Sequence, residues 1–418
     1  MLSEELTPGG DPKRARLLGE DLVAFRDESG RASLIDEACP HRGASMALAR
    51  NEPGGLRCLY HGWKVECDGT IGETPAEPEE FAFKDRVRAL VYPTYESGGL
   101  LWAYMGPAGS LPSPMNFHFT QVDDASRHII KAQVECNWVQ CLEGVIDSSH
   151  TNFLHANGVR AAADVSETIM GADFRVARPS ADVRPRMECE DTAYGFRYAA
   201  IRKPILNAET MKYVRTTHFV APIYAIFPPP KNWTWMQAFV PIDDEHTMFY
   251  FMQVRNDGPV DAQERARIDA GAGLQANVDL DTAFRKIRSR ANNWLQDREA
   301  MKRGDSYTGI RGVNMEDHAI QESMGPIYDR TKEHLGTSDI AIIRMRRILL
   351  DSVRKFSERA DPPIGLDVEV AYDKIRAEER IIPIDAPWQI VGAVEDSETV
   401  AASLAVGNSA PLRMEIGR

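Results

Sequence analysis

The chain has 418 residues, 43% hydrophobic and 27% charged, a composition that supports a large buried core and two ordinary domains. Its formal net charge of −13 argues against a nucleic-acid or anionic-membrane surface, because both would be repelled by the protein's average field. No apolar run approaches the roughly 20 residues of a membrane span. The N-terminal "MLSEELTPGGDPKRARLLGE" lacks the apolar core of a signal peptide and six cysteines are too few for a disulfide scaffold, so the expected location is the cytoplasm.

Residues 14 to 105 hold short strand-like runs, "RARLLG", "LVAFRD", "ASLID", "LRCLY", "VRALVY" and "LLWAYMG", separated by turn signals such as "DESG", "NEPGG" and "ESGG". They predict a small antiparallel β domain. The Pro/Gly/Ser cluster "GPAGSLPSP" places a boundary between about 106 and 128. A helix is expected over "NWVQCLEGVIDSSHTNFLH", then a loop at "NGVRAAAD". Strands follow at "YGFRYAAIRK", "YVRTTHFVAPIYAIF" and "WTWMQAFVPI…TMFYFMQVRN". Charged helical sequence covers about 261 to 303, and a long helix starts after Ser338 as N-cap, in "SDIAIIRMRRILLDSVRKFSE". Strands early and helices late predict an α+β domain whose sheet wraps around one long helix.

The first chemical signal is "CPHRGASMALARNEPGGLRCLYHGW". Cys39 and His41 form a C-x-H pair, and Cys58 and His61 a C-x-x-H pair. Each loop mixes one thiolate with one imidazole, whereas a zinc finger pairs like with like. Two mixed loops suit a Rieske [2Fe–2S] centre, in which one iron takes two cysteines and the other two histidines. A Cys2His2 zinc site is the alternative. Cys67, Cys136, Cys141 and Cys189 read as small buried residues.

The second signal is "GVIDSSHTNFLH", with Asp147, His150 and His155. Positions three apart on a helix share a face, so Asp147 and His150 can touch. A five-residue spacing is about 140° around a regular helix, so His150 and His155 can share an ion only if the helix ends or bulges between them. Two histidines and one carboxylate would leave open positions on a non-haem Fe(II). "GVNMEDHAIQES" offers Asp317, with Glu316 and Glu322 as competitors that chemistry alone does not exclude.

Three blocks, "CPHR…CLYHGW", "CNWVQCLEGVIDSSHTNFLH" and "MEDHAIQESMGPIYDRTKEHLGTSD", resemble the large (alpha) subunit of Rieske non-haem iron aromatic-ring-hydroxylating oxygenases, in particular the phthalate and chlorobenzoate dioxygenase-like branch. The resemblance implies an all-β Rieske domain over 1–115 and a helix-grip (START-like) catalytic domain over 116–418. It implies one [2Fe–2S] cluster on Cys39, His41, Cys58 and His61, and one mononuclear Fe(II) on His150, His155 and Asp317. Asp147 would bridge the centres electronically, touching His150 on one side and His61 of the partner subunit on the other, in a homotrimer or homohexamer. Electrons would come from NAD(P)H through a separate flavin and iron–sulfur reductase. The chain departs from the branch by beginning almost at "RARLLGEDLVAFRD", without the usual basic "RRYW"-like segment, a departure that touches subunit packing more than iron ligation.

An aromatic carboxylate in an apolar pocket needs a buried cation, and arginine suits it through two parallel hydrogen bonds. By the same resemblance, Arg178 and Arg215 occupy the positions that bind it, while solvent-facing arginines are the competing reading. In "YVRTTHF" Tyr213, Arg215 and Thr217 share one face, but alternation does not say which face meets a pocket. His218 and His318 are further polar candidates. The expected activity is O2-dependent hydroxylation, as cis-dihydroxylation, of a phthalate-, chlorobenzoate- or phenoxybenzoate-like acid. Monooxygenation or O-demethylation of a related acid, and a non-catalytic electron-transfer protein, are the alternatives.

Overall fold

Among the described residues before residue 104 the short strand-like runs and their neighbours form ten strands: β1 (Lys13–Leu17), β2 (Glu20–Arg26), β3 (Ala32–Asp36), β4 (Arg50–Glu52), β5 (Gly55–Arg57), β6 (Lys64–Glu66), β7 (Ile71–Glu73), β8 (Val91–Tyr92), β9 (Thr94–Ser97) and β10 (Leu100–Ala103). The computed structural model describes residues 1–78, 84–107, 109–163, 168–169, 175–365 and 369–392. Residue 108 of the expected linker and Asp164 of the expected loop lie outside them. The chain divides into two units, Met1–Met115 with Pro241–Asp244, and Asn116–Val240 with Glu245–Arg418.

The first unit is antiparallel throughout, with sheet orders β1-β2-β3-β8 and β4-β5-β6-β7 and a β9-β10 hairpin. β2 is buried on both faces. Val23 and Phe25 join Ile35, Leu56, Trp63 and Val65 in one core, and Leu22 and Ala24 join Leu34 and Leu101 in another. Two expected strands are shorter than their apolar runs. "LRCLY" leaves β5 at Arg57 so that Cys58 can enter a loop, and "VRALVY" forms a strand at Val91–Tyr92, with one isolated antiparallel bridge from Arg88 to Thr70 before it.

The second unit is built on an eight-stranded antiparallel sheet. Its members are β11 (Arg127–Val134), β15 (Arg186–Thr192), β16 (Gly195–Arg202), β17 (Met211–Val220), β18 (Tyr224–Phe227), β19 (Trp233–Pro241), β20 (Thr247–Arg255) and β21 (Glu379–Pro383). The order is β11-β20-β19-β18-β17-β16-β15, and β21 pairs with β17 beyond the end of β18. A smaller sheet contains β12 (Val159–Ala161), β13 (Thr168–Ile169) and β14 (Arg175–Arg178). The helices are α1 (Trp138–Ile146), α2 (Ala262–Ala272), α3 (Arg298–Arg303), α4 (Val313–Ser323) and α5 (Ile340–Arg359). Cys141, Leu142 and Ile146 of α1, Met315 of α4 and Ala341, Ile342 and Met345 of α5 enter the core against Phe196, Tyr198, Phe219, Phe239 and Phe249 of the sheet.

These elements correct the sequence reading. The helix expected through residue 155 stops at Ile146. β11, β15 and β21 were not anticipated, and the expected loop "NGVRAAAD" contains β12. The charged stretch at 261 to 303 is helical only in α2, a 3-10 turn at Arg290–Leu295 and α3. The N-cap of α5 is Asp339 rather than Ser338, and only the N-terminal half of α5 is buried, with Leu350, Val353 and Phe356 exposed.

Candidate metal centres and substrate cavity

The two mixed cysteine–histidine loops repeat one backbone design. Cys39 N donates to Ala44 O at 2.8 Å and Cys58 N to Trp63 O at 2.8 Å. Each cysteine carbonyl then accepts from a glycine four residues on, from Gly43 N at 2.8 Å and from Gly62 N at 3.1 Å. Both glycines are left-handed, at φ 74° and 73°, which costs a residue with a β-carbon about 1–2 kcal/mol. At Gly62 a Cβ would also meet Pro75 Cγ at 2.8 Å.

These turns bring like donors together. The His41 and His61 rings stand 4.5 Å apart, and His41 stacks on buried Trp63 at 4.7 Å. Both cysteines are buried. Burial pushes the Cys39 thiol up to about 11 against the backbone N–H of His41, and the adjacent Cys58 thiol adds to the rise. Burial, His41 and Arg42 lower His61. Two adjoining thiols and two adjoining imidazoles are the donor set of a cluster with one sulfur-held and one nitrogen-held iron.

In the second unit α1 ends with Asp147 as C-cap, and His150 opens a 3-10 turn, His150–Asn152. The break expected between the histidines therefore begins before both. Leaving the helix swings the imidazoles together, with Nε2 of His150 and Nε2 of His155 3.3 Å apart. Asp317 Oδ1, from α4, lies 3.5 Å from the first and 3.1 Å from the second. Donors about 2.1 Å from one ion, at angles between octahedral and tetrahedral, stand about 3.0 to 3.4 Å apart. The three atoms fit a single metal ion.

The competing carboxylates have other partners. Glu316 Oε2 accepts from or faces Nδ1 of His155 at 2.8 Å, on the side away from Asp317, and Thr308 Oγ1 donates to its Oε1 at 2.6 Å. Glu322 is taken by Lys286, Trp294 Nε1 and the Glu135 N–H. Burial alone would lower His155, but Asp317 and Glu316 outweigh it and push the imidazole up to about 10. The field that holds a proton there also favours a divalent cation. Burial raises Asp317, and His155, His150 and His318 more than reverse it.

Asp147 Oδ2 lies 3.7 Å from His150 Nδ1, too long for a hydrogen bond, and Asp147 Oδ1 accepts from the Ser149 N–H at 2.6 Å. Burial would raise this carboxyl, but His150 and the local N–H groups leave it lowered and therefore ionised at neutral pH.

Three side chains from the sheets brace the loop that carries Asp147 and His150. Tyr198 OH donates to Ile146 O at 2.5 Å, and Arg202 donates to Ser148 O at 2.9 Å. Arg178 donates to Thr151 Oγ1 at 3.0 Å and Asn152 Oδ1 at 2.8 Å. Arg202 was invisible as a site residue, because "AAIRKP" looks like the end of any exposed strand.

One cavity of about 1210 Å3, mouth included, is lined by His150, His155 and Asp317 and also by Asp147, Arg178 and Arg215. The face of β17 with Arg215 is therefore the one that meets the cavity. Arg178 is buried, its Nε has no partner, and burial and then Arg215 lower it. Glu379 of β21 lies 3.6 Å from Arg215 Nε and accepts from Tyr213 OH at 2.5 Å. Its strand was missed although "ERIIP" is a short strand-like run. Phe227, Trp235, Phe239, Phe249 and Phe251 make the apolar wall. His318 also lines it, whereas His218 is buried against Tyr194.

A domain with a mixed cysteine–histidine cluster motif, joined in one chain to a two-histidine, one-carboxylate centre opening on an aromatic-walled cavity, defines an oxygenase of the Rieske non-haem iron class. Residues 1–95 match the Rieske [2Fe-2S] domain and residues 103–409 the LigXa C-terminal domain like family. The chain is 42% identical over 409 residues to the phthalate 4,5-dioxygenase oxygenase subunit of Pseudomonas putida, covering 96% of this chain and 91% of that one. It is 35% identical to the 3-chlorobenzoate-3,4-dioxygenase oxygenase subunit of Comamonas testosteroni, over 93% and 90% of the two chains. The crystal structure of dicamba monooxygenase bound to dicamba shares the fold, with a TM-score of 0.55 and 17% identity over 86% of this chain and 96% of that one. The chain belongs to the large-subunit family of Rieske non-haem iron ring-hydroxylating oxygenases. It is an oxygen-incorporating oxidoreductase, carries one [2Fe–2S] cluster and one mononuclear iron, and draws its electrons from a reductase. Among the described residues no helix is long and apolar enough to cross a membrane.

Proposed function

We propose that this chain is the oxygenase component that cis-dihydroxylates an aromatic carboxylate of the phthalate, chlorobenzoate or phenoxybenzoate kind. The observation that carries the reading is that Arg178 and Arg215 line the same cavity as His150, His155 and Asp317, with aromatic walls among them. In this reading residues 1–115 form the Rieske domain, with Cys39, His41, Cys58 and His61 as cluster ligands, and residues 116–418 the catalytic domain. Bound iron supplies oxygen activation there, and the cluster supplies electrons drawn from NAD(P)H through the reductase's flavin.

The protein's own part is to hold and orient. Arg178 and Arg215 fix the acid's carboxylate through charge-assisted hydrogen bonds, and the rings of Phe249 and Phe251 exclude water from the aromatic ring. Asp147, held ionised beside His150, couples the catalytic centre to His61 of the partner subunit in a ring of subunits, and the family resemblance implies that the ring is a homotrimer or homohexamer. The reading places the enzyme in the cytoplasm, where pyridine nucleotides are available to the reductase.

Oxygen uptake with a reductase and a panel of benzoates, phthalates and phenoxybenzoates tests it, with labelled oxygen followed into product. The expected result is uptake matched to a diol carrying both labelled atoms. Incorporation of one atom would replace dioxygenation with monooxygenation, and uptake without any acid-dependent product would overturn the assignment.

A further inference from the structure

Gln253, on β20, is completely buried and lines the cavity, and neither its amide oxygen nor its amide nitrogen has a partner. Trp235, on β19, lines the same cavity with its indole Nε1 also buried and unpartnered. The two are neighbours by register. Asn256 N donates to Asn232 O at 2.7 Å across the β19-β20 hairpin, and continuing that antiparallel register three residues inward sets Gln253 opposite Trp235. Their strands lie away from Arg215, whose charge Arg178 feels: in the order β20-β19-β18-β17, Gln253 and Arg215 are three strands apart, about 14 Å at the usual inter-strand spacing.

A buried amide without partners is costly, and an apolar residue of the same size would serve the core better. Resting on the reading of the cavity as an acid pocket, we propose that Gln253 and Trp235 form a second polar pole that selects acids with a hydroxyl group on the ring, remote from the carboxylate. A hydroxyl has one donor and two acceptor sites. It can accept from Trp235 Nε1–H and Gln253 Nε2–H and donate to Gln253 Oε1, which satisfies the three unpartnered atoms of these two side chains at once. A second carboxylate is disfavoured at this pole, because the cavity's arginines are at the other end and two amide-type donors do not neutralise a buried charge.

The test is calorimetric binding of benzoate, 3-hydroxybenzoate and 4-hydroxybenzoate to the iron-loaded protein and to its Gln253→Met and Trp235→Phe variants. The wild type is expected to bind at least one hydroxybenzoate about tenfold or more tightly than benzoate, since a site built for a hydroxyl rejects the analogue lacking it. Gln253→Met should abolish that preference while keeping benzoate binding, which also reports that the variant is folded. Trp235→Phe should reduce it in part. Benzoate binding with no gain from the hydroxyl, or an unchanged gain in Gln253→Met, overturns the second pole alone. Failure of every acid to bind the wild type overturns the acid pocket as well.

Discussion

Glu316 Oε2 sits 2.8 Å from His155 Nδ1, while Asp317, the next residue of α4, presents Oδ1 3.1 Å from the opposite nitrogen, Nε2. Neighbours on a helix diverge by about 100°, so one imidazole inserted between them meets a carboxylate on each ring nitrogen. The first orients the ring and strengthens it as a donor; the second shares its open face.

That division of labour separates two variants. Glu316→Gln is expected to keep an iron site of the same composition with affinity lowered about 10- to 100-fold, and Asp317→Asn to lose stoichiometric iron altogether. Chelator competition on the purified proteins measures both, with cluster absorbance as the internal control. Equal iron retention in the two variants would contradict the assignment of Asp317 as the ligand.

Asp147→Asn removes charge without changing size. Iron and acid-labile sulfide should stay at about three and two per chain, while product formation falls about a hundredfold or more, equivalent to about 3 kcal/mol in the barrier. Full turnover in this variant would remove Asp147 from the electron path.

Arg215 and Arg178 should fail differently. Arg215→Gln removes a cavity cation and is expected to weaken acid binding about tenfold or more, with iron content unchanged. Arg178→Gln also releases Thr151 and Asn152, which it bonds at 3.0 and 2.8 Å beside His150. Both the dissociation constant for the acid and iron retention should therefore worsen. Paired calorimetry and metal analysis decide, and normal iron retention in Arg178→Gln would confine it to substrate binding.

His218 makes stability depend on pH. Burial, and then Arg197, push its imidazole down to about 3, and Tyr194 OH lies 2.8 Å from Nδ1. An unfolded histidine titrates near 6.5, so below that pH the unfolded chain binds a proton that the folded chain refuses. The stability from this site is complete above about pH 6.5 and falls with decreasing pH by up to about 1.4 kcal/mol per unit until about pH 3. In His218→Asn, which keeps a polar group toward Tyr194, urea-unfolding free energies between pH 7 and pH 5 should slope less steeply by that amount. Identical slopes would show that His218 does not carry the dependence.

The cluster loops were the most legible part of the sequence, since both ligand pairs are local and the glycines that allow their turns lie within the same few residues. The strands with aromatic and β-branched content, β16 to β20, were legible for a similar reason: a half-buried sheet writes its pattern into consecutive residues. β11, in "RHIIKAQV", and β15, in "RMECEDT", carry charges at positions that pair in the sheet. Their strand conformation depends on the neighbours β20 and β16 rather than on their own pattern.

By itself the sequence determined the donor types: two mixed cysteine–histidine loops, a pair of histidines at an unhelical spacing, and a short acidic stretch with three candidate carboxylates. Only the tertiary structure shows which of Glu316, Asp317 and Glu322 faces both histidines: Asp317 does, Glu316 lies on the far side of His155, and Lys286 and Trp294 occupy Glu322. It likewise decided that Arg178 and Arg215, from different sheets, line one cavity and that Arg202 braces the metal loop. Residue type fixes what a side chain can bind, but which groups converge on one point is a property of long-range packing.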